Sequence, residues 1–215
     1  MAVIILGVVL AGCSQDPRQI TVSPLETLPF DSVADWRSYA DFVAVVTVER
    51  ERRADDPLQA RQTDQDPLRY VTVAVEQTLW SRAETPPRAF EFQTDGWVTS
   101  DGKEVEVRSE GAPRIELGQR YVIGFTHTKG EYAAMTSSSV LPLDGERIHV
   151  DARDRAGALS LDELTAAQLR SRILAAKPNP LAEAMADFEP GERYGRVRQL
   201  ERAQAESGRS TTTTP

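Results

Sequence analysis

Side chains able to do chemistry are scarce in this chain. One cysteine, Cys13, and two histidines, His127 and His149, make up its whole stock of thiol and imidazole. A Ser-His-Asp hydrolase needs a histidine beside a nucleophile, with a carboxylate orienting the ring. His127 falls in THTKG, at the end of an expected strand, and His149 in the short strand-like RIHV. Neither accompanies a Gly-x-Ser-x-Gly turn, so both read as surface histidines. A transition-metal site commonly gathers several Cys or His at close spacing; isolated histidines do not offer this, and no metal or cofactor is expected. Asp55, Asp56, Asp64 and Asp66 supply oxygens of the kind Ca²⁺ prefers, but at no calcium-loop spacing and with Arg61 among them. Glu104, Glu106 and Asp95 read as the wet face of a sheet rather than a glycosidase pair. Nor do the glycines fall in a phosphate-loop pattern. A non-enzymatic protein is the expectation, and a small extracellular hydrolase using His127 or His149 is the alternative.

Cys13 follows the apolar run AVIILGVVLA, residues 2 to 11. About ten residues is half of the roughly 20 that a spanning helix requires, and matches the h-region of an export signal. Leu10-Ala11-Gly12-Cys13 resembles the lipobox of bacterial lipoproteins. The resemblance implies diacylglycerol on the Cys13 sulfur, cleavage before Cys13, and a lipid bilayer as partner. It places the chain in the cell envelope, on the outer side of the cytoplasmic membrane or in an outer membrane. Such signals carry Lys or Arg before the apolar run, whereas Met1-Ala2-Val3 has none; the expectation is a start codon further upstream.

The elements that would carry these residues follow from periodicity. Residues 1–12 read as signal peptide and 13–29 as lipidated N-terminus and tether, with a coil span of roughly 20 Å. DSVADWRSYA (31–40) predicts a short helix capped by Asp31 or Ser32. DFVAVVTVER (41–50) is β-branched, and RYVTVAVEQTL (69–79) places Val71, Val73 and Val75 on one face. AFEFQT repeats the alternation. Hairpins are expected at Asp101-Gly102, Lys129-Gly130 and Asp144-Gly145. Between 41 and 150 no helical pattern intervenes, so that stretch predicts an all-β barrel or sandwich, within a unit spanning 30–150. Beyond 151 the pattern turns helical. Ser160 and Glu163 form a capping box opening a helix over 161–176, followed by two shorter helices to 206 and a disordered tail, 207–215. These helices are a candidate docking surface for a membrane complex, a third functional possibility. Trp80 reads as core, and Trp97, after Asp95-Gly96, as a candidate anchor for an unknown protein partner.

The run ADFVAVV, then YVTVAVEQTLW, then PRIELGQRYVIGF with its following hairpin, resembles netrin and tissue-inhibitor-of-metalloproteinase barrels, including the Gly-x-x-Tyr step Gly118-Gln119-Arg120-Tyr121. The resemblance implies a mainly β fold, a five-stranded, partly open OB-like Greek-key barrel with a C-terminal helical extension. It carries no inhibitor role, because Cys13 lies before the barrel and the disulfides of those inhibitors are absent. The net charge of −8 excludes a phosphate-backbone partner, which demands clustered basic residues; no nucleic acid is expected.

Overall fold

The computed structural model describes residues 19–22, 28–53, 68–83, 85–100, 103–109, 112–150 and 160–210. Among them ten strands follow in order: β1 (Gln19–Val22), β2 (Phe42–Arg53), β3 (Leu68–Ser81), β4 (Ala89–Asp95), β5 (Trp97–Ser100), β6 (Lys103–Ser109), β7 (Arg120–Thr128), β8 (Glu131–Ala134), β9 (Val140–Asp144) and β10 (Arg147–Ile148). The α-helices are α1 (Val33–Tyr39), α2 (Ala166–Ala175), α3 (Pro180–Glu183) and α4 (Pro190–Ser210).

Successive side chains of a strand point to opposite faces, and both faces of β2 are apolar. Phe42, Ala44, Val46 and Val48 belong to one buried cluster, Val43 and Val45 to another. The first cluster fills a barrel. β2 pairs antiparallel with β3 and β7, β3 continues to β4, and β8 hairpins back from β7. β8 then meets β4 in parallel at Tyr132 and Phe92. The ring β2-β3-β4-β8-β7 thus returns to β2. The protein is mainly β, a closed five-stranded OB-like Greek-key barrel followed by helices. The resemblance implied a partly open barrel; the β4–β8 contact closes it. Three register shifts along the β2–β3 pair give the local bend and added twist that closure requires.

Aromatic side chains fill the lumen. Phe42 stacks on Phe125 at 5.0 Å, and Phe90 meets Phe125 edge-on at 4.9 Å. The expected alternation of β3 is present, with Val71 and Val73 fully buried here. The turn Lys129-Gly130 has positive φ at both residues, 53° and 87°, the pair that a two-residue hairpin turn needs.

The second cluster lies outside the barrel, under the helices. Trp36 of α1 is fully buried and its Nε1 donates to the Phe30 carbonyl at 3.1 Å. Leu169 and Ile173 of α2, Ala182 of α3 and Val197 of α4 pack on the same cluster as Val43, Leu79, Val122 and Ile148. The C-terminal helices therefore cover the barrel with their apolar faces. α1 starts as expected, with Ser32 as N-cap and Asp35 closing the capping box.

Several boundaries differ from the sequence expectation. Ser160–Glu163 is a turn, not a helix start. Its backbone is engaged elsewhere, since Glu163 N–H donates to the Ile148 carbonyl at 2.9 Å and Ile148 N–H to the Leu164 carbonyl at 2.8 Å. The capping box falls at Thr165 and Gln168 instead, and α2 begins at Ala166. α4 runs on to Ser210, into the stretch read as disordered. Gln19–Val22, within the expected tether, is a strand paired in parallel with β6 in a small sheet β1-β6-β5. The loop aspartates between 54 and 67 lie outside the described residues.

Arg193 fastens the helical layer. Its side chain is 1% exposed, 3.8 Å from the Asp41 carboxylate. It donates to the carbonyls of Ser38 (3.1 Å), Met185 (3.3 Å), Ala186 (3.2 Å) and Phe188 (2.8 Å). Arg193→Met removes the ion-pair partner of Asp41, which keeps its bond from His127 N–H at 2.8 Å, and a donor from each of those carbonyls, and is expected to destabilise by about 3–5 kcal/mol; Arg193→Lys will not restore the loss, because an ammonium lacks the planar fork that reaches several carbonyls. Urea unfolding, read as a shift in midpoint at constant slope, measures both.

Tyr39, buried beside Arg193 and Tyr194, has its hydroxyl pKa pushed up to about 12, first by burial and then by the charges of Glu201 and Asp35. The folded state holds this proton more tightly than the unfolded chain, whose value is near 10. Its contribution is therefore complete below pH 10 and is lost between pH 10 and about 12. Alkaline unfolding followed by circular dichroism should fall less steeply through that window in Tyr39→Phe.

Candidate functional site

At one end of the barrel, Trp97 at the start of β5 is surrounded by the chain's own arginines. The guanidinium carbons of Arg114, Arg53 and Arg69 lie 4.8, 5.3 and 5.5 Å from its ring. A cation over an indole face is attracted by the ring quadrupole. The expected partner anchor is thus half-buried among cations. Arg69 is completely buried. It pairs with Glu51 and donates to the carbonyls of Asp95, at 2.8 Å, and Ile115. Burial and then the Arg114 charge push its pKa below the usual arginine value, and Glu51 opposes them.

Arg114 is held by the carbonyls of Gly96 and Val107 at 3.3 and 3.4 Å and by the Glu116 carboxylate at 3.2 Å. The segment that carries it is pinned by Tyr121 of β7, whose hydroxyl donates to the Arg114 carbonyl at 3.0 Å and accepts from Glu116 N–H at 2.8 Å. Gly118 turns this segment into β7 at φ 76°, a conformation that favours glycine. The Gly-x-x-Tyr spacing therefore has a physical purpose here: a left-handed turn followed by a hydroxyl that ties the loop down.

Beside this segment lies a cleft of about 350 Å³ walled by Arg108, Arg114, Glu116, Pro142 and His149. A second cleft, of about 200 Å³, shares Ala112 and Pro113 with it and is walled further by Phe92, Asp95 and Ser137. Of the carboxylates weighed for acid–base chemistry, Asp95 and Glu106 already have partners. Asp95 accepts from Ser109 N–H at 2.7 Å and Ser109 Oγ at 3.1 Å, and Glu106 accepts from Arg108 at 2.6 Å.

The two histidines lie in different settings. His127 is exposed and its ring stacks on Tyr132 at 4.4 Å. His149 borders the larger cleft, with Nδ1 4.0 Å from Asp162 Oδ1, beyond hydrogen-bond reach. Glu163 completes a group in which one ligand atom from each of His149, Asp162 and Glu163 lies within 4.8 Å of the other two. Sequence reasoning missed this grouping, because local spacing does not show which turn lies opposite β10. Trp80, expected in the core, is half-buried, with Arg37 and Arg82 at 5.1 and 5.4 Å from its ring. Leu10, Ala11, Gly12 and Cys13 lie outside the described residues.

Comparison with family models, with curated proteins and with solved structures found no match.

Arg69→Met removes the cation that joins Glu51, Asp95 and Ile115, and the expected cost is about 3–5 kcal/mol. A red shift in tryptophan emission, abolished in the Trp97→Phe background, should report loosening around Trp97.

Proposed function

We propose that the protein is a lipoprotein of the bacterial cell envelope, anchored through diacylglycerol on Cys13, whose barrel serves as a non-enzymatic binding module. The observation that carries this reading is Leu10-Ala11-Gly12-Cys13 closing the apolar run of residues 2 to 11. Each methylene buried in the bilayer contributes about 0.8 kcal/mol, and two acyl chains hold where one is marginal. The charge of −8 is consistent with a covalent anchor, since an acidic body is not drawn to anionic lipid. No helix among the described residues is long and apolar enough to cross a membrane.

A binding role is favoured over hydrolysis by what the histidines touch. His127 is stacked on Tyr132, and His149 stands apart from its carboxylate neighbour in an exposed position. The ligand face in this reading is the cleft beside Arg114, where Arg108, Arg114 and Glu116 offer polar recognition beside Ala112, Pro113 and Pro142.

Metabolic labelling with a palmitate analogue and cell fractionation test the anchor. The full chain should take up label and sediment with membranes, whereas Cys13→Ser should lose the label and leave the membrane fraction. Membrane retention of unlabelled Cys13→Ser would overturn the reading.

A further inference from the structure

His149 is separated from Asp162 and Glu163 by more than a dozen residues, yet the backbone sets them face to face. Besides the two bonds between Ile148 and the Glu163–Leu164 segment, Val150 N–H donates to Asp162 Oδ1 at 2.9 Å. His149, lying between Ile148 and Val150, is thereby fixed opposite the acidic pair. Its own N–H donates to the Pro142 carbonyl at 2.9 Å, which ties this edge to the barrel.

We propose that His149, Asp162 and Glu163 bind one divalent transition-metal ion of the zinc type. An imidazole with two carboxylates is a mixed nitrogen–oxygen set. The imidazole favours zinc and its neighbours over calcium or magnesium, which prefer all-oxygen shells. With neutral imidazole the two carboxylates balance the ion's charge. Zinc bonds to nitrogen and oxygen are about 2.0–2.2 Å, which puts tetrahedral ligand atoms about 3.4 Å apart. The present limit of 4.8 Å closes to that spacing by side-chain rotation. The His149 and Glu163 side chains are 66% and 67% exposed, which leaves room for new rotamers, while Asp162, 35% exposed, is held by Val150.

Arg147 is the charged neighbour to be displaced. Its Nη1 lies 3.7 Å from the Glu163 carboxylate and donates to the Glu163 carbonyl at 2.8 Å. The carbonyl bond can persist when the carboxylate turns to the ion. Three protein ligands leave a fourth position for water or an anionic group, the arrangement of open zinc sites. His149 also walls the cleft that contains Arg108 and Arg114, so a metal-bound anion would have cations nearby. The inference is independent of lipidation, and it stands or falls whether or not Cys13 carries an anchor.

The test uses the full chain, purified in detergent without a histidine tag and stripped with chelator. Calorimetric titration with Zn²⁺ should show saturable one-to-one binding, accompanied by a rise in the thermal midpoint as expected for a ligand of the folded state. His149→Ala and Asp162→Asn should each weaken binding roughly tenfold or more, since even outer-shell changes cost 10–100-fold. His127→Ala should bind as the parent does. Metal-free His149→Ala should melt with the metal-free parent, which separates ligand loss from misfolding. Absence of saturable binding, equal affinity in His149→Ala, or Ca²⁺ binding as tightly as Zn²⁺ would each overturn the proposal.

Discussion

The start of β2 has no side that can face water. Phe42 to Val46 are all buried, and because a strand divides its side chains between two faces, two separate apolar bodies must cover them. One is the aromatic lumen, which closes the ring of five strands. The other is the helical layer, brought from both ends of the chain: α1 from before β2, and α2 to α4 from beyond the barrel. The helices are therefore as much a part of the hydrophobic core as the strands, and Ile148, Leu169 and Ile173 are fully buried there. A barrel deprived of its C-terminal segment would present Val43, Val45, Leu79 and Val122 to solvent.

Arginine makes the polar connections between these layers. Of 25 basic residues only Lys103, Lys129 and Lys177 are lysine. The composition alone suggests genomic base content, but three positions show a chemical use. Arg69, Arg114 and Arg193 are buried, and each serves main-chain carbonyls from more than one segment while keeping an acidic partner. A planar guanidinium with five donors can satisfy such a set, whereas the compact ammonium of lysine cannot. The acidic partners offset the cost of removing a charge from water.

Much of the barrel was legible from residue alternation and turn chemistry. Val71, Val73, Phe90 and Phe92 declare a buried face by their period, Lys129-Gly130 declares its hairpin, and Asp144-Gly145 marks the next, which turns one residue later at Gly145-Glu146. What escaped was set by pairing between distant segments. Glu163 sits at φ 63°, which no capping rule anticipates, because its N–H is committed to Ile148. The same commitment moved the start of α2 to Ala166 and placed Asp162 and Glu163 against His149. Barrel closure likewise depends on a single parallel contact, Phe92 with Tyr132, too brief to leave a periodic trace. Cys13 stands at the other extreme: its reading comes wholly from its immediate neighbours.

The parallel pairing of β1 with β6 changes the mechanics of any attachment at Cys13. A free tether would begin to be ordered only near Leu28, but β1 joins the folded body at Gln19. Six residue steps separate Cys13 from Gln19, and their fully stretched length is at most about 20 Å. The body would ride close to the headgroups, within a few screening lengths of about 8 Å at physiological salt. If Cys13 is acylated as proposed, so short a leash would limit how far the barrel can swing away from the bilayer.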